Sequence, residues 1–233
     1  MHRTDISPKY AEKLGKCTAG IPRTLDEKVA PEHTAIVVVD MQNEFCHSES
    51  VWVQRGIDVS SVQEMTPKLV KFLAEARSYQ PLIIFVRTVY TEWSISPVSM
   101  EQQLKFPEHL RCFPRDDTWG AEFYQVAPQN GDCIVTKYRY SAFQGTDLEL
   151  ILHSNGIKTL IVTGVATPVC VESTARDGYM KEFFIVITED CVTARTAEEQ
   201  RSSLSIMDRF FGTVVSSEEI IAAWKRQKTS RKA

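Results

Sequence analysis

Three stretches of the chain are apolar almost without a break: Thr34–Asp40 (TAIVVVD), Pro81–Arg87 (PLIIFVR) and Lys158–Thr163 (KTLIVT). A strand with one wet face alternates apolar and polar residues. An unbroken run needs cover on both faces, the condition of a parallel sheet between two helical layers. Nothing else in the sequence restricts the fold as much. Cys133–Thr136, Phe184–Thr188 and Gly212–Val215 are weaker runs of the same kind.

Helical patterns fill the intervals. Val62, Met65, Leu69, Leu73 and Ala76 recur at spacings of three and four. Thr146–Ser154 sets Leu148, Ile151 and Leu152 on one side before an Asn155-Gly156 stop. Further helices are expected at about 168–181, 197–209 and 217–226, the last capped by Ser216 or Ser217. Strand alternating with helix specifies an α/β fold: a single-domain, Rossmann-like, three-layer αβα sandwich with a mostly parallel six-stranded sheet. The expected division is an N-terminal extension over 1–32, the domain over 33–226 and a basic tail over 227–233. Residues 90–131, rich in proline and tryptophan and without a long helix, are read as a packed lid.

Composition closes other routes. At 233 residues, 43% hydrophobic and 24% charged, the chain suits one large globular domain and no collagen, mucin or disordered tail. A net charge of -3 gives no reason to expect nucleic acid or an anionic membrane as partner. No apolar run approaches a span of about 20 residues, and the N-terminus lacks a signal core, so a cytoplasmic location is expected. Cys17, Cys46, Cys112, Cys133, Cys170 and Cys191 form no C-x-x-C pair, and most are expected to be small buried hydrophobes. His2, His33, His47, His109 and His153 keep no ligand spacing, and D-x-H is absent. Neither a metal nor a cofactor is expected.

In sheets of this kind the working crevice lies beyond the carboxyl ends of the strands. Asp40, Lys137 and Cys170 fall at three different such ends. Cys170 follows Thr167, a good cap, and Pro168, which fits a first helical position; backbone N–H groups of that turn and the helix dipole favour a thiolate and can hold an oxyanion. Taken singly, each residue has an ordinary reading: a buried thiol, a turn carboxylate, a surface lysine. Together they supply a nucleophile, a proton acceptor and a cation to lower the thiol pKa. No histidine is placed as a base.

These residues carry a resemblance. Ala35–Asn43 (AIVVVDMQN), Lys137–Phe143 (KYRYSAF) and Val162–Gly178 (VTGVATPVCVESTARDG) resemble, in order and spacing, the isochorismatase-like cysteine hydrolase superfamily over roughly residues 33–220. Within it, Lys137 through Asp177 is most similar to the ureidoacrylate amidohydrolases, with biuret, triuret and N-carbamoylsarcosine hydrolases near. The resemblance implies Cys170 as nucleophile, Asp40 as general base and Lys137 as a bridge that lowers the thiol pKa. It implies a cis peptide between Val165 and Ala166, an oxyanion hole from the Ala166 and Cys170 N–H groups, and substrate contacts from Asn43, Phe45, Tyr90 and Tyr140. Phe45 stands where the ureidoacrylate enzymes have tyrosine, and Pro168 where relatives often have Asn or Asp. The missing D-x-H sets the chain apart from the metal-dependent nicotinamidases.

The implied activity is cysteine-dependent hydrolysis of a C–N bond in a small carbamoyl or ureido compound, through a thioester-type acyl enzyme, with release of ammonia and no cofactor. Two alternatives stay open: a vinyl-ether hydrolase of the isochorismatase type, and an idle binding or assembly protein on the same fold. A homodimer or homotetramer is expected, as is alkylation of Cys170 well below pH 8.

Overall fold

The computed structural model describes residues 7–105 and 114–230. Cys112, His2, His109 and the last three residues of the expected basic tail lie outside them. Six strands form one sheet: β1 (Thr34–Val39), β2 (Leu82–Thr88), β3 (Cys133–Lys137), β4 (Thr159–Val165), β5 (Phe184–Thr193) and β6 (Thr213–Val215). Their order is β3-β2-β1-β4-β5-β6 and every pairing is parallel.

The helices are α1 (Pro8–Ala19), α2 (Leu25–Lys28), α3 (Asn43–Cys46), α4 (Val51–Gln54), α5 (Ser60–Ala76), α6 (Pro97–Lys105), α7 (Leu148–Ser154), α8 (Glu172–Met180), α9 (Ala197–Phe210) and α10 (Ser217–Ser230). The unbroken apolar runs are explained by two separate cores. On one face Ile36, Val38 and Phe85 meet Leu69, Phe72 and Leu73 of α5 and Trp224 of α10. On the other, Val37, Val39, Ile84 and Val162 meet Leu148 and Leu152 of α7, Ala175 of α8 and Met207 of α9. Residues i and i+1 of β1 thus point into different cores, and neither may be polar. The expected three-layer α/β architecture holds.

Local chemistry sets the helix ends. Thr196 and Glu199 form a reciprocal capping box at the start of α9. Ser216 does the same with Glu219 ahead of α10, while Ser217 donates its hydroxyl to Asp190. Asn155 caps α7 and Gly156 turns the chain with φ +65°.

Several expectations need correction. The extension, for which no helix was expected, contains α1, which buries none of its residues. Residues 24–33 of the extension pack on the body: Trp224 Nε1 donates to Val29 O, Arg226 pairs with Asp26, and Lys28 reaches Thr213 Oγ1 at 2.7 Å. The lid contains helix α6, and α10 runs on to Ser230, where a free tail was expected. Of the cysteines, Cys46 and Cys191 are buried, Cys17 is exposed and Cys133 half-buried. Among the described residues no helix is long and apolar enough to cross a membrane.

Candidate active site

The strand order puts the ends of β3, β2, β1 and β4 side by side, so residues from four segments meet at one edge of the sheet. Asp40 follows β1 at φ +53°, a left-handed conformation that aspartate tolerates better than most residues, and its N–H donates to Val86 O on β2. Lys137 closes β3 directly opposite Thr88 of β2. Cys170 follows β4. Gly164 makes that last approach possible: at φ +98°, a Cβ there would lie 2.1 Å from Val39 O.

The three predicted residues converge. Lys137 Nζ lies 2.8 Å from Asp40 Oδ2 and 3.4 Å from Cys170 Sγ, and both ionic side chains are buried. Nζ also donates to Arg139 O at 3.0 Å and to Thr88 Oγ1 at 2.5 Å. Thr88 in turn donates to Asp40 Oδ1 at 2.8 Å. Thr88 is a member of this network that sequence reasoning missed, as Trp52 and Arg195 are of the cavity over it. Only its register opposite Lys137 distinguishes it from any threonine at a strand end.

Cys170 sits in a wide π turn, Thr167–Val171, ahead of α8 and not in the first turn of an α-helix. The amides on either side of it, of Val169 and Val171, both donate to Ala166 O, and Thr174 Oγ1 ties down the Cys170 carbonyl at 2.7 Å. The Val165–Ala166 peptide is cis.

The electrostatics correct one expectation. Burial is the largest influence on the Cys170 thiol and pushes it up to about 12; Lys137 pulls it down, but the Asp40 charge and a hydrogen bond to that carboxylate oppose this. Burial thus favours the neutral thiol. Burial alone would depress Lys137, but Asp40 and Cys170 outweigh it and hold the ammonium above its ordinary value. Burial likewise raises the Tyr90 phenol.

A cavity of about 300 Å³ opens over Asp40, Thr88 and Cys170. Its walls come from Phe45 and Trp52, from Val59 and Val62 at the start of α5, from Tyr90 and Tyr140, and from Thr193–Arg195 at the end of β5. Phe45, Tyr90 and Tyr140 thus stand where substrate contacts were expected. Asn43 does not line the cavity. Its Nδ2 donates to Trp119 O at 3.0 Å and its N–H to Glu122 O at 2.8 Å, fastening residues 119–124 beside the site. Among the described residues no group of three His, Cys, Asp or Glu side chains is placed to share a metal.

Comparison with known proteins identifies the family. The isochorismatase domain model matches residues 34–219. The ureidoacrylate amidohydrolase RutB of Pantoea ananatis (strain LMG 20103) is 34% identical over 199 residues, 80% of each chain. That of Enterobacter sp. (strain 638) is 34% identical over 79% of this chain and 86% of its own. Among solved structures, a cysteine hydrolase from Pseudomonas syringae pv. phaseolicola 1448A superposes with a TM-score of 0.75 at 29% identity, covering 85% of this chain and 95% of that one. N-carbamoylsarcosine amidase from Thermoplasma acidophilum gives 0.64 at 27% identity, covering 79% and 96%. A model matched over most of the sequence, on a sheet with the same architecture, makes this chain a member of the isochorismatase family.

Proposed function

We propose that the chain is a cysteine-dependent amidohydrolase that cleaves a C–N bond of a small ureido or carbamoyl compound and releases ammonia. It is a hydrolase of linear amides, as its amidohydrolase relatives are named. The observation that carries the cysteine mechanism is the contact of Cys170 with the buried Asp40–Lys137 pair on the cavity floor. In this reading Asp40 takes the thiol proton as Sγ attacks the carbonyl carbon, and Lys137 meets the charge that develops on sulfur. The Ala166 and Cys170 N–H groups hold the oxyanion. The tetrahedral adduct expels ammonia or an amine, which takes the proton from Asp40. Water, deprotonated by the same carboxylate, then attacks the thioester and frees the acid and the thiol.

The test is ammonia release from a ureidoacrylate analogue, biuret, triuret, N-carbamoylsarcosine and nicotinamide, with isochorismate alongside. Turnover of ureido compounds supports the reading. Silence on all of them, or turnover of isochorismate alone, ends it.

Arg195 separates the candidates. Among the described residues lining the cavity it is the one cation besides the catalytic network, and its guanidinium lies 5.0 Å from the centre of the Trp52 ring. A ureidoacrylate carries a carboxylate that this group can meet; biuret is neutral. Arg195→Gln is expected to raise KM about tenfold for the anionic substrates and to leave neutral ones unchanged. An equal rise for both classes would refute the assignment.

We further propose a homodimer or homotetramer, supported by the apolar exposure of the lid at Trp93 (89%), Val98 (75%) and Leu104 (67%). Light scattering that returns a monomer at micromolar concentration overturns this.

A further inference from the structure

We propose that Thr88 is a positioning residue for this reaction, its hydroxyl fixing the direction in which protons are held between Lys137 and Asp40; the inference rests on the amidohydrolase reading above. The hydroxyl is buried between two groups of opposite kind. An ammonium only donates, so Thr88 Oγ1 accepts from Lys137 Nζ and its own proton has one destination, Asp40 Oδ1. The proton order of the pair is thereby set before any substrate arrives.

The side chain is held from behind. Thr88 N–H donates to Gln42 Oε1 at 2.7 Å, and Gln42 Nε2 donates to Thr88 O at 2.9 Å and to Ala121 O at 3.0 Å. Gln42 is fully buried, so its amide serves as a clamp on the Thr88 backbone. β-Branching limits the remaining freedom about χ1.

Counting protons gives the consequence. Lys137 has three N–H bonds and four acceptors in reach: Asp40 Oδ2, Thr88 Oγ1, Arg139 O and Cys170 Sγ, of which sulfur is the most distant. Thr88 thus competes with the neutral thiol for the ammonium, and sulfur wins a full share only as it becomes a thiolate. That is stabilisation spent on the transition state and not on the resting enzyme. On the other side, Thr88 supplies the donor to Oδ1 while Lys137 supplies the donor to Oδ2. A carboxylate stripped of one donor is protonated more readily, because hydrogen bonds to the charged form favour that form.

The experiment measures kcat and KM against pH for the ureido substrate turned over fastest, in the unmodified chain, Thr88→Val and Thr88→Ser. Capture of Cys170 by iodoacetamide, read on the peptide that carries it because Cys17 is also exposed, is followed over the same pH range. Valine keeps the shape and deletes the hydroxyl. It is expected to lower kcat about 10–100-fold with KM little changed, and to move the acid limb upward by roughly one pH unit. Serine restores the hydroxyl and recovers most of the rate. Loss of the hydroxyl also frees a share of the Lys137 ammonium for sulfur, so Cys170 is expected to alkylate faster near neutral pH in the valine chain and at close to the unmodified rate in the serine chain.

That second profile needs no substrate. A chain that turns over no ureido compound would sink the functional reading while still answering for Thr88. Should the valine chain not fold, Thr88→Ala carries the same comparison. Unchanged profiles in a folded valine or alanine variant, or a serine variant as impaired as valine, would overturn the proposal.

Discussion

Cys170→Ala abolishes ammonia release, and Asp40→Asn lowers it by about 10³-fold or more, yet the two variants part company in thiol chemistry. In the unmodified chain the Asp40 charge is one of the influences that keep the thiol protonated, against the pull of Lys137. Replacing the carboxylate by an amide removes the opposition and leaves the ammonium, so the thiol should titrate lower. The expected result for Asp40→Asn is faster capture of Cys170 by iodoacetamide near neutral pH, in a protein that has lost turnover. A site whose thiol was activated chiefly by Asp40 would lose both together. The measurement is a pair of pH series, one of initial rates and one of alkylation rates, on the unmodified chain and Asp40→Asn. Parallel loss would mean that the carboxylate acts on sulfur in some other way than as the acceptor of its proton.

This outcome follows from a point on which the sequence misled. Lys137 and Cys170 are both visible as chemical groups at strand ends, and a cation near a thiol suggests a thiolate at rest. What the sequence does not display is depth. Burial costs the charged form of the thiol more than Lys137 returns, and Asp40 has first claim on the ammonium. Alkylation well below pH 8, the expectation for a preformed thiolate, is therefore not expected of the unmodified chain.

What was legible is what local pattern encodes. The apolar runs specify strands buried on both faces, and a carboxylate or lysine ending such a run is conspicuous because solitary burial of charge is unfavourable. Gln42, Asn43 and Thr88 are different. They work through partners 46 to 79 residues away, so nothing in their own neighbourhood separates a wall of the site from a clamp behind it. Asn43, expected in the cavity from the resemblance alone, is instead tied to Trp119. Helices α1 and α6 escaped for different reasons: α1 carries an apolar stripe, Tyr10, Leu14 and Cys17, that stays exposed and is easily overlooked in so polar a segment, while α6 has only a weak one. The π turn at Cys170 is set by the junction of β4 with α8, which spacing alone does not reveal.

The second large effect is on stability. Lys137→Met should destabilise the fold by about 3–5 kcal/mol at pH 7, because it leaves the Asp40 carboxylate buried with its counter-charge removed. The sign with pH follows. In the variant the native carboxyl relieves the mismatch by binding a proton more tightly than the unfolded chain does. The unfolded state then holds fewer protons than the native one over the interval between the two titrations. Stability must fall as pH rises through that interval, from about 4 upward, with the full loss reached at neutral pH. Urea unfolding at pH 4.5 and 7 reads both quantities, and Asp40→Asn/Lys137→Met completes the cycle. With neither charge present the double variant should regain most of what Lys137→Met loses. A single variant within about 1 kcal/mol of the unmodified chain at pH 7 would mean that water reaches the pair, in the range of an exposed ion pair. The dry, proton-ordered floor on which Cys170 is proposed to act would then not exist.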